Sequence, residues 1–351
     1  MTTLKLIFGT SMLISALASS GALAQDKPVN FMTAVAAESE LIFNETIARA
    51  GGVNQFAHAR MPATSETQTI VRSQSDMLYS QGVYDVSESL TVMMPDCKTG
   101  YQSVHMFDAN HGQLGVVYCG ETKTITAADV STSDKHIYAM MRTSTDQGLE
   151  VANAAQNDVV MEASSNTDYV GPGYDHMQLK QAKRVLAGTA SIVKAKTAYT
   201  NELIPDTVTI KDGSDLDQYN YVLASLLGWG LMPNEHAYYP QLVIKDSDCT
   251  EVTFPKPPVQ YDKSGYWSFT AYSLDGYLRT GNAVVSSYDA KPNDGGSFTV
   301  YVGNSDACKA HANRVDMPNG GTAISLRMYR PNNIADAKAF EEEFRSSNAG
   351  K

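Results

Sequence analysis

Two blocks of short alternating β-type runs, separated by a helical stretch, constrain this chain more than any other feature. In the last third, the run GYWSFTAYSL (265–274) puts Trp267, Phe269 and Ala271 on one side of a strand. Tyr266, Ser268, Thr270 and Tyr272 fall on the other, because successive strand side chains point to opposite faces. AISLRMYR (323–330) repeats the pattern, with Ile324, Leu326 and Met328 opposed to Ser325, Arg327 and Tyr329. Each strand thus has an apolar side for a core and a Tyr/Thr/Arg side. The second side is either a solvated outer face or a concave binding surface, Tyr and Arg being favoured binding residues. LVIKD and GSFTVYVG extend this block. Earlier, between about 68 and 140, the runs TIVRS, SLTVMMP, YQSVHMFDA, QLGVVYC and HIYAMMRT are spaced by Gly, Asp, Asn and Lys clusters, as in an antiparallel sandwich or barrel.

Helical periodicity surrounds these blocks. Residues 31–50 carry Phe31, Val35, Leu41, Ile42 and Ile47 near helical spacing and end at Gly51-Gly52. Residues 145–162, 175–200 and 217–231 read as further helices, the last stopped by Gly228, Gly230 and Pro233. The expected fold is mainly β with helical connections (α+β): two antiparallel β-sandwich or jelly-roll-like domains joined by a helical segment. The boundaries expected are 25–52 for an N-terminal helix, 53–163 for the first β domain and 164–235 for the helical connection. The second β domain follows at 236–335, and a short surface helix in the tail at 336–351.

Residues 1–24 read as a secretory signal peptide, with Lys5, an apolar stretch from Leu6 to Ala18 and the cleavage site Ala22-Leu23-Ala24. The apolar stretch is shorter than the roughly 20 residues a membrane span needs, and no later stretch is long enough. A mature chain without a membrane span, periplasmic or secreted and starting near Gln25, is expected. Lys and Arg number 27 against 38 Asp and Glu, with no basic run, so no nucleic-acid partner is expected. Export favours disulfides. Of the three connectivities four cysteines allow, Cys97–Cys119 and Cys249–Cys308 keep each bridge within one domain. By loop-closure entropy the two bridges contribute roughly 3 and roughly 4 kcal/mol.

The common catalytic templates fail. There is no G-x-S-x-G elbow, no G-x-G-x-x-G and no phosphate-binding loop, so no cofactor is expected. Ser191 to Lys194 and Lys98 to Gly100 imitate penicillin-recognising motifs, but in the wrong order. His105, Asp108 and His111 have ligand-like spacing, yet 105 and 108 point to opposite faces of a strand, and no metal is expected. The segment 53–80 concentrates His58, Arg60, Arg72, Asp76 and Tyr79. These residues are a structural ion-pair network or the lining of a polar pocket with mutually tuned pKa values. Arg72, Asp76 and Tyr79 are expected to meet Asp108 at one end of the first β domain, with a turn near Met77 and Asp76 accepting from Arg72.

These residues carry a family resemblance. Val53 to Arg60, Arg72 to Ser80, Pro95-Asp96 and Tyr101 to Asp108 resemble the domain of unknown function 1254. Asp76, Leu78, Tyr79, Ser80 and Asp108 match its pattern; Gln74, Ser75, Met77 and His105 depart from it. The last third resembles the companion domain of unknown function 1214. Its carriers are Tyr266-Trp267-Ser268, Asp275-Gly276-Tyr277, Gly295 to Tyr301 and Leu326 to Pro331. The resemblance implies two sandwich domains joined by helices, often in a homo-oligomer, and brings no established reaction.

Three functions are carried forward. The first is binding or processing of a small polar, carbohydrate-like ligand, with His58, Arg60, Arg72, Asp76, Tyr79, Asp108, Tyr266, Arg327 and Tyr329 as the candidate site. The second is an acid/base hydrolase or lyase that uses Asp76, His58 or Tyr79, with Arg72 or Arg327 stabilising an anion. The third is a non-catalytic envelope or assembly protein.

Overall fold

The computed structural model describes residues 26–68, 71–192, 218–245 and 247–351. The segment 1–24, expected to be a signal peptide, lies outside them. Among the described residues no helix is long and apolar enough to cross a membrane. Among the described residues the first helix is α1 (Ala34–Ala50). It ends at Gly51, which adopts a left-handed φ of 87° and donates its N–H to Ile47 O, a conformation glycine enters without steric cost.

The first β block holds eight strands: β1 (Gln55–His58), β2 (Met77–Asp85), β3 (Ser89–Met93), β4 (Gln102–Asp108), β5 (Gln113–Tyr118), β6 (Thr122–Thr126), β7 (His136–Ser144) and β8 (Val160–Ala163). They form a five-stranded sheet in the order β1-β2-β7-β4-β5 and a three-stranded sheet β6-β3-β8. Leu90, Val92 and Ile125 of the small sheet share a core with Val104, Met106, Ile137, Ala139 and Met141 of the large one. Helix α2 (Leu149–Asn157) occupies only the middle of the stretch expected to be helical, and β8 follows it. The run expected at 69–73 is not a strand where it is described; residues 71 and 72 form a turn.

Helices α3 (His176–Ile192) and α4 (Gln218–Leu227) lie where periodicity places them and share a small core with α1, in which Val35 meets Leu179 and Val222. The second block contains β9 (Ala237–Tyr238), β10 (Gln241–Ile244), β11 (Cys249–Phe254), β12 (Tyr266–Tyr272), β13 (Val284–Ser286), β14 (Phe298–Gly303), β15 (Arg314–Val315) and β16 (Thr322–Tyr329). Its larger sheet runs β10-β16-β12-β13, with β9 on β16, and its smaller sheet runs β11-β14-β15. A one-turn helix α5 (Asp306–Lys309) carries Cys308, and α6 (Ile334–Ser347) closes the chain. The pairings are antiparallel except β14 with β15. Disulfides join Cys97 to Cys119 and Cys249 to Cys308, the pairing expected.

The apolar faces read from the sequence do form the second core: Trp267, Phe269, Ile324, Leu326 and Met328 pack on Val252, Phe254, Val300 and Val302. Helix α6 belongs to the same core. Ala337, Phe340 and Phe344, at one helical face by spacing, are buried in it. The opposite faces of β12 and β16 are not solvated. Tyr266, Ser268, Thr270, Tyr272, Ser325, Arg327 and Tyr329 are at most 5% exposed. They turn towards the first block, where Tyr266 and Tyr329 cluster with Met77, Tyr101 and Tyr118.

Candidate functional site

Between these facing sheets lies a cavity of about 460 Å³, within the range of small-molecule sites. Alternation determines which side chains reach it. Tyr79 and Gln81 come from β2, Met140 and Arg142 from β7, Gln241 from β10, and Ser325, Arg327 and Tyr329 from β16. Arg49 at the end of α1, Arg72 and Ser73 before β2, and Trp229 to Leu231 after α4 complete the walls. Gly230 holds a φ of 72°, a conformation strained for any residue with a side chain, and a Cβ there would stand 2.7 Å from Met140 Cε, the movable end of a flexible side chain.

Arg142 is 5% exposed. Its Nη2 donates to Gly230 O at 2.9 Å, while its Nη1 is buried without a hydrogen-bond partner. The guanidinium lies 5.9 Å from the Tyr79 ring centre, Tyr79 being its direct partner across β2 and β7. Arg327, also 5% exposed, donates Nη1 to Thr270 Oγ1 and Nη2 to Tyr272 Oη and Arg72 O. Among the described residues neither guanidinium forms an ion pair, and arginine stays charged in proteins. Arg49 donates to Gln81 Oε1 at 2.7 Å, which adds a third cation on the α1 side. The acidic group in the lining is Asp275, an exposed carboxylate paired with Arg279.

Beneath the cavity a polar cluster turns on Gln74. This fully buried amide accepts from Tyr329 Oη, and from Tyr79 Oη at 3.4 Å. It donates to Tyr266 Oη at 3.0 Å and to Asp76 Oδ1 at 3.1 Å. Asp76 Oδ2 is buried without a partner. Burial pushes the Asp76 carboxyl pKa up, against the opposing pull of the nearby Ser268 hydroxyl and the charge of Arg327. Burial likewise raises the phenol pKa values of Tyr329 and Tyr239, which keeps both hydroxyls neutral.

Four of the residues singled out from sequence line the cavity: Arg72, Tyr79, Arg327 and Tyr329. Tyr266 stands behind, stacked on Tyr329 with centroids 5.0 Å apart, and Asp76 lies below through Gln74. The others lie outside the lining. His58 bonds Ser80 Oγ through Nδ1 at 2.7 Å, and burial with the nearby Arg60 charge lowers its pKa to about 4. Arg60 is held by Asn153 O and by the side chains of Gln156 and Asn157 on α2. Asp108 closes the β4–β5 turn by accepting from the N–H groups of Asn110 and Gly112 and from Ser131.

The meeting of Asp76 with Asp108 therefore does not occur. Met77, beside Asp76, pairs with Ser144, whereas Asp108 pairs with Ile137 at the other end of β7. Seven residues along a strand separate the two by about 23 Å, at roughly 3.3 Å per residue. Among the described residues no group of three or more His, Cys, Asp or Glu side chains could hold a metal ion. His105 instead bonds Gln113 Oε1 at 2.6 Å.

Sequence reasoning missed Arg142, Gln74, Arg49 and Trp229. Arg142 had a signal: it is the one cation inside the run IYAMMRT, whose apolar length marks a strand buried on both faces. Gln74 had none beyond its departure from the family pattern. Among the described residues the lining offers four arginines, the exposed carboxylate of Asp275 and neutral hydroxyl and amide groups, with no histidine or cysteine. Such a set can hold an anion.

Comparison with solved structures places the same fold elsewhere. The VPA0106 protein from Vibrio parahaemolyticus superposes with a TM-score of 0.63 at 16% identity, over 88% of this chain and 94% of its own. An uncharacterised protein from Burkholderia cenocepacia gives 0.53 at 13% identity, over 86% and 85%. No curated protein shows significant similarity. Family models match in tandem, the protein of unknown function DUF1254 at residues 53–163 and the protein of unknown function DUF1214 at 245–333. The chain thus belongs to the proteins that join a DUF1254 domain to a DUF1214 domain, and its cavity lies between the two.

Proposed function

We propose that this protein binds a small polar ligand bearing a negative charge in the cavity between its two β blocks. The observation that carries the reading is Arg142: a buried guanidinium, facing the cavity, without a carboxylate and with Nη1 unpartnered. Leaving such a charge uncompensated costs several kcal/mol, and an incoming carboxylate or phosphate removes that cost with charge-assisted hydrogen bonds. Arg327, Arg72 and Arg49 in the same lining supply further positive potential. Hydroxyls of Tyr79 and Tyr329 and amides of Gln81 and Gln241 suit the polar remainder of a ligand. Binding is favoured over hydrolysis or elimination because His58 and Asp108 lie outside the lining, and Asp76 is sealed beneath Gln74. The leader-like residues 1–24 and the two disulfides support action in the periplasm or outside the cell.

The test is thermal denaturation at pH 7.5 with acetate, hexanoate, phosphate and glucuronate against neutral glucose. At least one anion should raise Tm by mass action, and Arg142→Met should abolish the shift. A response to glucose alone, or shifts that survive in Arg142→Met, would overturn the reading.

A further inference from the structure

We infer that the ligand is an amphipathic monocarboxylate, seated with its carboxylate inward at Arg142 and its apolar body towards the cavity mouth. This rests on the anion-binding reading and adds the other half of the ligand. The cationic groups Arg142 and Arg327 are each 5% exposed and so mark the inner end. The same cavity is lined by Met61, Val71 and Leu274, which are 65%, 42% and 59% exposed. Single apolar side chains on a surface are ordinary, whereas a group of large ones around one opening marks a binding site. Three exposed large hydrophobic residues therefore stand at the rim of a cavity whose floor is cationic.

The walls between rim and floor continue the apolar character through Trp229 and Met140. A hydroxylated acid would lose hydrogen bonds to water wherever its hydroxyls fall against Met61, Val71 or Leu274, and could recover only those that reach Thr67, Gln68 or Gln241 in the same lining. An alkyl or aromatic body covers the apolar side chains instead and removes apolar area from water on both partners. The polarity gradient from rim to floor also sets the orientation. With the carboxylate outward, the charge would meet apolar side chains while Arg142 remained unpaired.

The experiment is isothermal titration of the full chain at pH 7.5 with acetate, butyrate, hexanoate, octanoate, phenylacetate and glucuronate. Affinity should rise about fourfold per added methylene until the rim is covered, the fold-change that corresponds to burying one CH₂ at about 0.8 kcal/mol. Glucuronate should bind at least about tenfold more weakly than hexanoate, the loss expected for leaving one to two hydroxyls unpaired. Leu274→Asn, at an exposed position, should weaken octanoate and leave butyrate unchanged. A flat chain-length series with glucuronate as tight as hexanoate would overturn the amphipathic class and leave the anion site standing. Failure of every anion to bind, or octanoate binding equally well to Arg142→Met, would remove the anion reading and this inference with it. Association with phosphatidylglycerol vesicles in the absence of free-acid binding would make the rim a lipid-surface contact and overturn the inference too.

Discussion

Acid should unfold this protein through His111, and the size of the effect follows from its surroundings. His111 is fully buried in the turn after β4, in a left-handed conformation with φ of 58°. Its ring stacks on Phe107 at 5.2 Å and 8°, and meets Trp229 edge-on at 4.3 Å. Neither ring nitrogen has a hydrogen-bond partner. Burial therefore lowers its pKa from 6.5 to about 3. The folded state keeps the imidazole neutral, while the unfolded state takes up a proton below pH 6.5, so stability is full above 6.5 and falls steadily as pH drops towards 3.

At pH 5 the unfolded group lies about 1.5 units below its own pKa, and at about 1.36 kcal/mol per unit His111 withdraws about 2 kcal/mol. The assay is urea unfolding at pH 7.5 and pH 5.0 for the natural chain and for His111→Phe. Phenylalanine keeps the ring stack and cannot titrate. The variant should lose about 2 kcal/mol less than the natural chain between the two pH values. His136, whose bonds to Asp134 and Thr167 outweigh burial and raise its pKa, is common to both proteins and cancels in the difference, while His105, whose pKa burial also lowers, feels His111 only as the smallest of its influences. Equal losses, within about 0.5 kcal/mol, the usual limit of additivity, would refute the argument. Because Trp229 lines the cavity, ligand affinity should weaken over the same pH range in the natural chain and less so in the variant.

Three further outcomes are expected. Arg142→Met should be at least as stable as the natural chain, since loss of the Gly230 hydrogen bond, about 1 kcal/mol, is outweighed by removal of a buried charge without a counter-charge; urea unfolding alongside ligand titration checks both halves. Asp76→Asn should be at least as stable as the natural chain at pH 7.5, because a carboxyl with a raised pKa loses stability as pH climbs past its unfolded value, and asparagine keeps an acceptor for Gln74. Asp76→Ala should cost about 1–3 kcal/mol by stranding that amide, and a thermal melt that ranks the alanine variant above the asparagine variant would contradict the reading. The double change Cys97→Ser, Cys119→Ser should cost roughly 3 kcal/mol by loop-closure entropy, and a non-reducing peptide map should show Cys97 linked to Cys119.

The local rules of the chain made much of the fold legible. Alternation in 265–274 and 323–330 marks which side of β12 and β16 faces the second core, because a strand has only two sides. Helical spacing and the Gly51 stop locate α1, whereas the tail reads as a surface helix and only the packing shows Ala337, Phe340 and Phe344 of α6 buried in the second core. The disulfide pairing followed from keeping each bridge within one block. What covers the second face of a sheet is a different kind of question. The Tyr/Arg side of β16 reads equally well as solvated or as binding surface, since alternation reports period and not partner. Only the packing of one block on the other buries Arg327 and Tyr329 and sets them in one cavity with Arg142 and Tyr79. The same limit separates Asp76 from Asp108. Both belong to one family pattern, but strand register puts them at opposite ends of the sheet, and register is decided by pairing with β7 rather than by either segment alone.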